Sequence, residues 1–359
     1  MANPIPAPVY LIEAALLNVN GCRLSDLHGP APEPQPVDFL PQRLAYPMKA
    51  PRLPGDMFDR KIQRSVEAQG LRLLHCAARL APAVQALQLP AARIALSAAI
   101  PEVDAPSPCW DAVEAIAQQP DKMLAQLFAN TPPLHALTLL NSSVMAYVAE
   151  GLGCHGVMGG YCSQGNAGFD ALIEAVTQIS EDRADAALVV SSSPNITPAL
   201  YLREGVSYPA GQAEVIYGEG AAALLLARSP ATASGRVARV AGYGRGYSAA
   251  LGRGEALAER VLWQALGQEK LSLSDISLII ADAQDPLLVS LFGGHGPLRS
   301  SRPMTGELGA SALLSEIGYA LGDPAELPSG GHYALLMTRS SAGHYGALVL
   351  EIFKPEKGV

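Results

Sequence analysis

The segment Gly151–Ser193 reads GLGCHGVMGGYCSQGNAGFDALIEAVTQISEDRADAALVVSSS. Its order is strand, tight turn, helix, loop, strand. Val157 and Met158, set among Gly156, Gly159 and Gly160, form a short apolar run whose small residues permit close packing. Tyr161–Gly168 is rich in Gly, Ser and Asn and predicts the turn. Phe169, Leu172, Ile173, Val176 and Ile179 then recur at helical spacing, so one face of a helix is apolar. Ala186–Val190 predicts a buried strand that ends at Ser191–Ser193 and Pro194. A turn between a buried strand and a helix start is chemically active ground. Its free backbone N–H groups favour negative charge and activate any thiol or hydroxyl placed there.

The rest of the chain supports an α/β protein. It has 359 residues, enough for two cores or one large two-part core, and 49% of them are apolar against 16% charged. Gly and Ala abound, as fully buried strands require. The formal net charge of −8 argues against a nucleic-acid partner. No apolar run reaches the length of a membrane span. The start, MANPIPAPVYLIE, has no basic region leading into an apolar one, so no signal peptide is expected. Five scattered cysteines, Cys22, Cys76, Cys109, Cys154 and Cys162, fit a reducing cytoplasm and show no zinc spacing.

Moving outward, Val9–Leu17 predicts a first strand. Gly29–Pro54 carries eight prolines and predicts a long extended connection. Asp59 is placed to cap a helix running to about Leu80, with Pro82 ending or kinking it. Arg93–Ala99 predicts a strand, Trp110–Asn130 mostly helix, and Asn141–Glu150 a further helix. Ile216–Ala227 predicts a hairpin turning at Gly218, Glu219 and Gly220. In the second half, Glu255–Leu266 and Leu308–Leu321 have helical spacing. Leu278–Ala281, His332–Met337 and Tyr345–Ile352 predict strands. The halves, 1–228 and 229–359, echo one another: RIALSAAIP parallels ISLIIADAQDP, and EGAAALLLAR parallels HYGALVLEIF. Repeated strand–helix–strand order implies parallel sheets with helices on their faces.

Gly151–Val190 resembles the nucleophile region of the β-ketoacyl-acyl-carrier-protein synthases, condensing enzymes of the thiolase fold. The family pattern G-L-x-G, apolar strand, A-C-[ST]-S-G, helix, G-x-A-D lies on this segment without a gap. Gly156 matches the glycine before the strand, and Ala184-Asp185 matches the Ala-Asp before the next one. Three further stretches are similar to family segments: Asp59–Arg64, Ile216–Ala227, and Met304-Thr305-Gly306 followed by Leu308-Gly309-Ala310. The resemblance implies a five-layered α/β/α/β/α fold from two pseudo-symmetric halves, with no cofactor and no metal.

It also implies what is missing. The reactive cysteine falls on Gly165; Gln164, the residue type that chain-length factors carry there, is one residue away, and a one-residue bulge would put it in that place instead; Cys162 lies three residues early. The two catalytic histidines fall on Asp282 and Glu307, and the lysine on Arg302. Asp282 and Glu307 could form an acid–base pair; a salt bridge with Arg302 is the commoner fate of such a cluster. An enolate oxygen needs neutral donors, and ionised carboxylates only accept. The expected function is therefore a non-catalytic subunit resembling a chain-length factor. It would pair as a heterodimer with an active β-ketoacyl synthase, meet acyl carrier protein through that complex, and shape an acyl tunnel. The products would be polyketides, aryl polyenes or fatty acids. In the family the strand before the nucleophile turn pairs across the dimer axis, which marks Val157, Met158, Gly159, Gly160, Tyr161 and Cys162 as interface. Leu134 and His135 fall where a loop enters the partner's tunnel. Two other readings stand beside this one. One is a divergent condensing enzyme or thioester hydrolase using Cys162 or Ser163, although Tyr161 breaks a G-x-S-x-G elbow. The other is a homodimeric acyl-binding protein. For Cys162 a structural role is expected, buried beside a subunit interface.

Overall fold

A computed structural model describes residues 7–101, 110–131, 141–207, 215–233, 235–249, 254–325 and 332–355. Nine strands form one sheet: β1 (Tyr10–Leu17), β2 (Ile94–Ala99), β3 (Met158–Tyr161), β4 (Ala186–Ser192), β5 (Ala221–Ala227), β6 (Val237–Tyr247), β7 (Ile276–Ile280), β8 (His332–Arg339) and β9 (His344–Phe353). Their order is β7-β8-β9-β6-β1-β5-β4-β2-β3. β1–β5 come from the first half of the chain and β6–β9 from the second.

Alternation along each strand sorts side chains between two helical layers. In β4, Val189 faces a central layer shared by helix α3 (Ala167–Ser180) and helix α5 (Ala312–Gly322). Phe169, Leu172 and Val176 of α3 and Leu313, Leu314 and Ile317 of α5 meet there, between Val189 and Leu224 of one half-sheet and Leu348 and Leu350 of the other. Leu188 and Val190 point the opposite way, onto helix α1 (Ala68–Arg79) and helix α2 (Asn141–Leu152), through Leu73, Leu74 and Val148. On the far side, Ile279, Leu335 and Val349 pack on Val261 and Leu262 of helix α4 (Gly254–Gly267). The layers therefore run α1/α2, half-sheet, α3/α5, half-sheet, α4. This is the five-layered thiolase-like arrangement that the resemblance implies. Each fully buried Leu in it contributes roughly 1.5–3 kcal/mol.

The structure amends several expectations. The sheet is mixed, because β5 runs antiparallel to both β4 and β1, and β9 antiparallel to β8 and β6. The half-sheets join through β1 and β6, where Tyr10 faces Arg239 and Leu11 faces Ala238. The proline-rich connection folds into a small second sheet, with Gln35–Val37 antiparallel to Leu40–Tyr46. Tyr217–Gly218 adds to that small sheet while β5 joins the large one, so the expected hairpin is divided between two sheets. Asp59 does cap a helix, accepting from the Ile62 N–H at 2.8 Å. That helix stops at Arg64, and α1 begins anew at Ala68, with Gly70 against Val66 and Val144. The helix expected from Leu308 starts at Ala312, behind a 3-10 turn at Gly309–Ser311.

Candidate functional site

β3 is the last strand at one end of the nine-stranded sheet, and among the described residues it pairs only with β2, in parallel. The Leu96 N–H donates to the Val157 carbonyl at 2.9 Å, and the Ile100 N–H to the Tyr161 carbonyl at 3.2 Å. In a strand these orientations alternate. The backbones of residues 157, 159 and 161 thus face β2, and those of Met158 and Gly160 face outward. Val157 and Met158 are exposed in the single chain, at 43% and 52%.

The chain then turns. Gln164–Asn166 form a 3-10 turn and α3 starts at Ala167. Cys162 is exposed in the single chain. The Ser163 hydroxyl donates to Asp170 in the first turn of α3, and Asp170 also meets Arg245 at 3.7 Å. Ser163 is therefore committed to a carboxylate. Burial, with Glu174 and Asp170 nearby, pushes the Tyr161 phenol up to about 12. Asn166 is buried and accepts from the Thr338 hydroxyl at 2.7 Å. A Cβ on Gly168 would lie 2.7 Å from the Ala310 carbonyl, so the start of α3 crosses the Gly309–Ser311 turn backbone to backbone. The buried hydroxyls of Ser191 and Ser311 complete this crossing at 2.9 Å.

Gly165, on which the sequence resemblance sets the family's nucleophile, has no such constraint. Among the described residues a Cβ there would meet Ser340 Cβ, at 3.8 Å, an ordinary contact, and its φ is outside the left-handed region. Neither packing nor backbone conformation demands glycine at 165.

The second-half positions meet on one guanidinium. Arg302 forms ion pairs with both Asp282 and Glu307. Asp282 also accepts from the Gln284 N–H at 2.9 Å, and Glu307 from the Gly309 N–H at 2.7 Å. The segment carrying Arg302 and Glu307 is fixed from the first half of the chain. The Glu307 N–H donates to the Ile216 carbonyl at 2.8 Å, the Gly218 N–H to the Glu307 carbonyl at 3.0 Å, and Asn20 Nδ2 to the Met304 carbonyl at 2.8 Å. Gly306, at φ +71°, makes the turn between them. Behind Arg302, the Glu316 carboxylate accepts from the Ser300 hydroxyl at 2.6 Å and from the Ser301 N–H at 2.9 and 3.0 Å. Burial raises the Glu316 carboxyl above the ordinary range, and its bonds to Ser300 and Ser301 and the charge of Arg302 oppose that shift.

The structure thus brings Arg302, Asp282 and Glu307 together, as the sequence reading anticipated. Through Leu308–Ser311 it links them to the turn that holds Gly165. Leu134 and His135 lie outside the described residues. Two polar features went unread in the sequence. One is Glu316, a single acid on an apolar helix. The other is the buried Arg72–Glu219 pair, at 3.4 Å, whose partners stand 147 residues apart. Among the described residues no three His, Cys, Asp or Glu side chains gather as a metal ion would need. No described helix is long and apolar enough to cross a membrane.

No family model and no curated protein matches the sequence. Solved structures do match, over nearly the whole chain. A β-ketoacyl synthase from Burkholderia phymatum is 16% identical, with 97% of this chain and 100% of that chain covered and a TM-score of 0.76. The ishigamide ketosynthase/chain length factor is 13% identical, with coverages of 97% and 100% and a TM-score of 0.75. A ketosynthase in complex with its chain length factor from Xenorhabdus doucetiae is 15% identical, with coverages of 98% and 100% and a TM-score of 0.68. At these identities the likeness is one of fold.

Proposed function

We propose that this chain, which has the fold shared by β-ketoacyl synthases and chain length factors, is a non-catalytic subunit of the chain-length-factor type. It pairs with an active β-ketoacyl-acyl-carrier-protein synthase and shapes that partner's acyl tunnel. The halves 1–228 and 229–359 are its two repeats. The observation that carries this reading is the joint ion pairing of Asp282 and Glu307 to Arg302. A condensing site needs neutral donors aimed at a developing enolate. Here the corresponding side chains are acceptors already engaged by a permanent cation. Gly165 supports the same reading, because the described surroundings leave room for a Cβ there and glycine offers no nucleophile.

Solved neighbours include a ketosynthase with its chain length factor and an acyl-carrier protein in complex with its ketosynthase. By that analogy this chain meets carrier protein through the complex. Polyketide, aryl polyene and fatty-acid elongation all accord with such a pair. An independent thioester hydrolase has less support, since Ser163 donates to Asp170 and no described histidine is bonded to it.

The direct test uses the isolated protein. After incubation with an acyl thioester, intact-mass analysis is expected to show the unmodified chain. An acyl adduct mapping to Cys162 or Ser163 would overturn the non-catalytic reading.

A further inference from the structure

β1 carries one acid among apolar side chains. Leu11 and Leu16 lie in the central layer and Ala14 packs against it, whereas Ile12 and Ala15 face α1. Strict alternation from Leu11 would aim residue 13 into the central layer. A bulge prevents this. Leu11 opposes Leu226 and Glu13 opposes Leu225, so two steps along β1 match one along β5. The extra residue turns Glu13 to the side of Ile12, which is the side of α1.

There Glu13 lines a cleft of about 280 Å³ together with Arg79, the last residue of α1. Leu80 and Ala83 add apolar wall. The exposed Thr232 adds a hydroxyl from the segment that joins the two halves, beside a turn in which the Ala233 N–H donates to the Pro230 carbonyl at 3.0 Å. Among the described residues β1 pairs with β6 only at Tyr10 and Leu11, so the half-sheets part just where the cleft begins.

An acid and a base in one cleft ordinarily meet, and these two do not. Arg79 Nη1 donates to the Leu16 carbonyl at 2.9 Å and to the Cys22 carbonyl. Glu13 Oε1 accepts from the Ala14 N–H at 3.3 Å. Among the described residues neither side chain forms an ion pair. Each charge is held by backbone on its own wall. A simple anion entering the cleft is repelled by Glu13 and a simple cation by Arg79, whereas a zwitterion satisfies both. Size agrees, since the cleft falls just short of the roughly 300–1,000 Å³ of pockets for drug-sized ligands.

We propose that this cleft binds a free α-amino acid, with its ammonium on Glu13, its carboxylate on Arg79 and an apolar side chain against Leu80 and Ala83. The site uses no residue of the Gly165 turn or of the Arg302 cluster, and it does not rest on the heterodimer reading.

The test is calorimetric titration of the full chain with leucine, beside N-acetylleucine, which lacks the ammonium, and leucinamide, which lacks the carboxylate. Leucine is expected to bind saturably at one site, and each analogue at least about 10-fold more weakly, the scale of one lost hydrogen bond to a charged group. Glu13→Gln keeps the shape and an acceptor for the Ala14 N–H, and Thr232→Trp fills the cleft from an exposed position. Both variants should melt as the wild type does. The first should weaken leucine about 10-fold and the second should abolish its binding. No saturable binding of leucine or of any other protein amino acid up to about 10 mM overturns the site. An analogue that binds as tightly as leucine overturns the zwitterion assignment. Unchanged leucine affinity in either variant overturns the location.

Discussion

An Arg72→Met variant is expected to lose about 3–5 kcal/mol of stability, the usual cost of stripping one partner from a buried ion pair. Arg72 is fully buried on α1. Its Nη1 lies 3.4 Å from Glu219 Oε2, and its Nη2 donates to Asn195 Oδ1 at 2.8 Å. Burial draws the guanidinium below its ordinary range, and the charge and hydrogen bond of Glu219 oppose that shift. Glu219 in turn accepts from the Met48 N–H at 2.8 Å and the Ile196 N–H at 3.0 Å. Four separate segments are thus tied at one point beside the end of β4. With methionine at 72, packing is largely kept, but a carboxylate remains in the core without its cation. Arg72→Met combined with Glu219→Gln should recover part of the loss, since glutamine carries no charge yet still offers one acceptor. Arg72→Lys should fall between, keeping the charge and losing the fork. Urea unfolding monitored by circular dichroism measures all three. A single-variant loss below about 1 kcal/mol, the scale of an exposed pair, would mean that the pair is not the clamp described.

A Gly160→Pro variant is expected to abolish the complex with the ketosynthase while the isolated chain stays folded. The Gly160 N–H faces outward from the sheet, so proline removes a donor needed only by a strand added at that edge. Gly159→Pro is the wrong choice, because residue 159 faces β2 and the change would break the internal ladder. Met158→Lys tests the same edge by charge, at a side chain 52% exposed. Affinity should drop by at least about 100-fold in each variant. An unchanged affinity would move the interface away from β3.

Much of this arrangement is legible in the amino-acid order. The nucleophile-region helix follows from the spacing of Phe169, Leu172, Val176 and Ile179, and these residues are buried as the spacing requires. The pairing of Arg302 with Asp282 and Glu307 could be foreseen because two acids and one base stand at positions that the resemblance brings together. What escaped was set by long-range geometry. Strand direction was misjudged because helical connections suggest parallel pairing, whereas β5 and β9 run back antiparallel beside their neighbours. The small sheet was hidden by prolines, which sit at Pro36 and Pro41 in short, largely exposed strands where a missing N–H costs little. The break after Arg64 has no sequence signal of the Pro or Gly kind at the break itself. Arg72 and Glu219 were invisible as a pair, since nothing local announces a contact across 147 residues.

The central claim is that this chain contributes shape and not chemistry to a condensing pair. The most direct measurement is intact-mass analysis of both subunits and of the carrier protein in the reconstituted complex, after loading with an acyl thioester. The account predicts acyl groups on the ketosynthase alone, with extended chains on the carrier only when both subunits are present. An acyl group on this chain, or extension at full rate and unaltered length by the ketosynthase without it, would contradict the account.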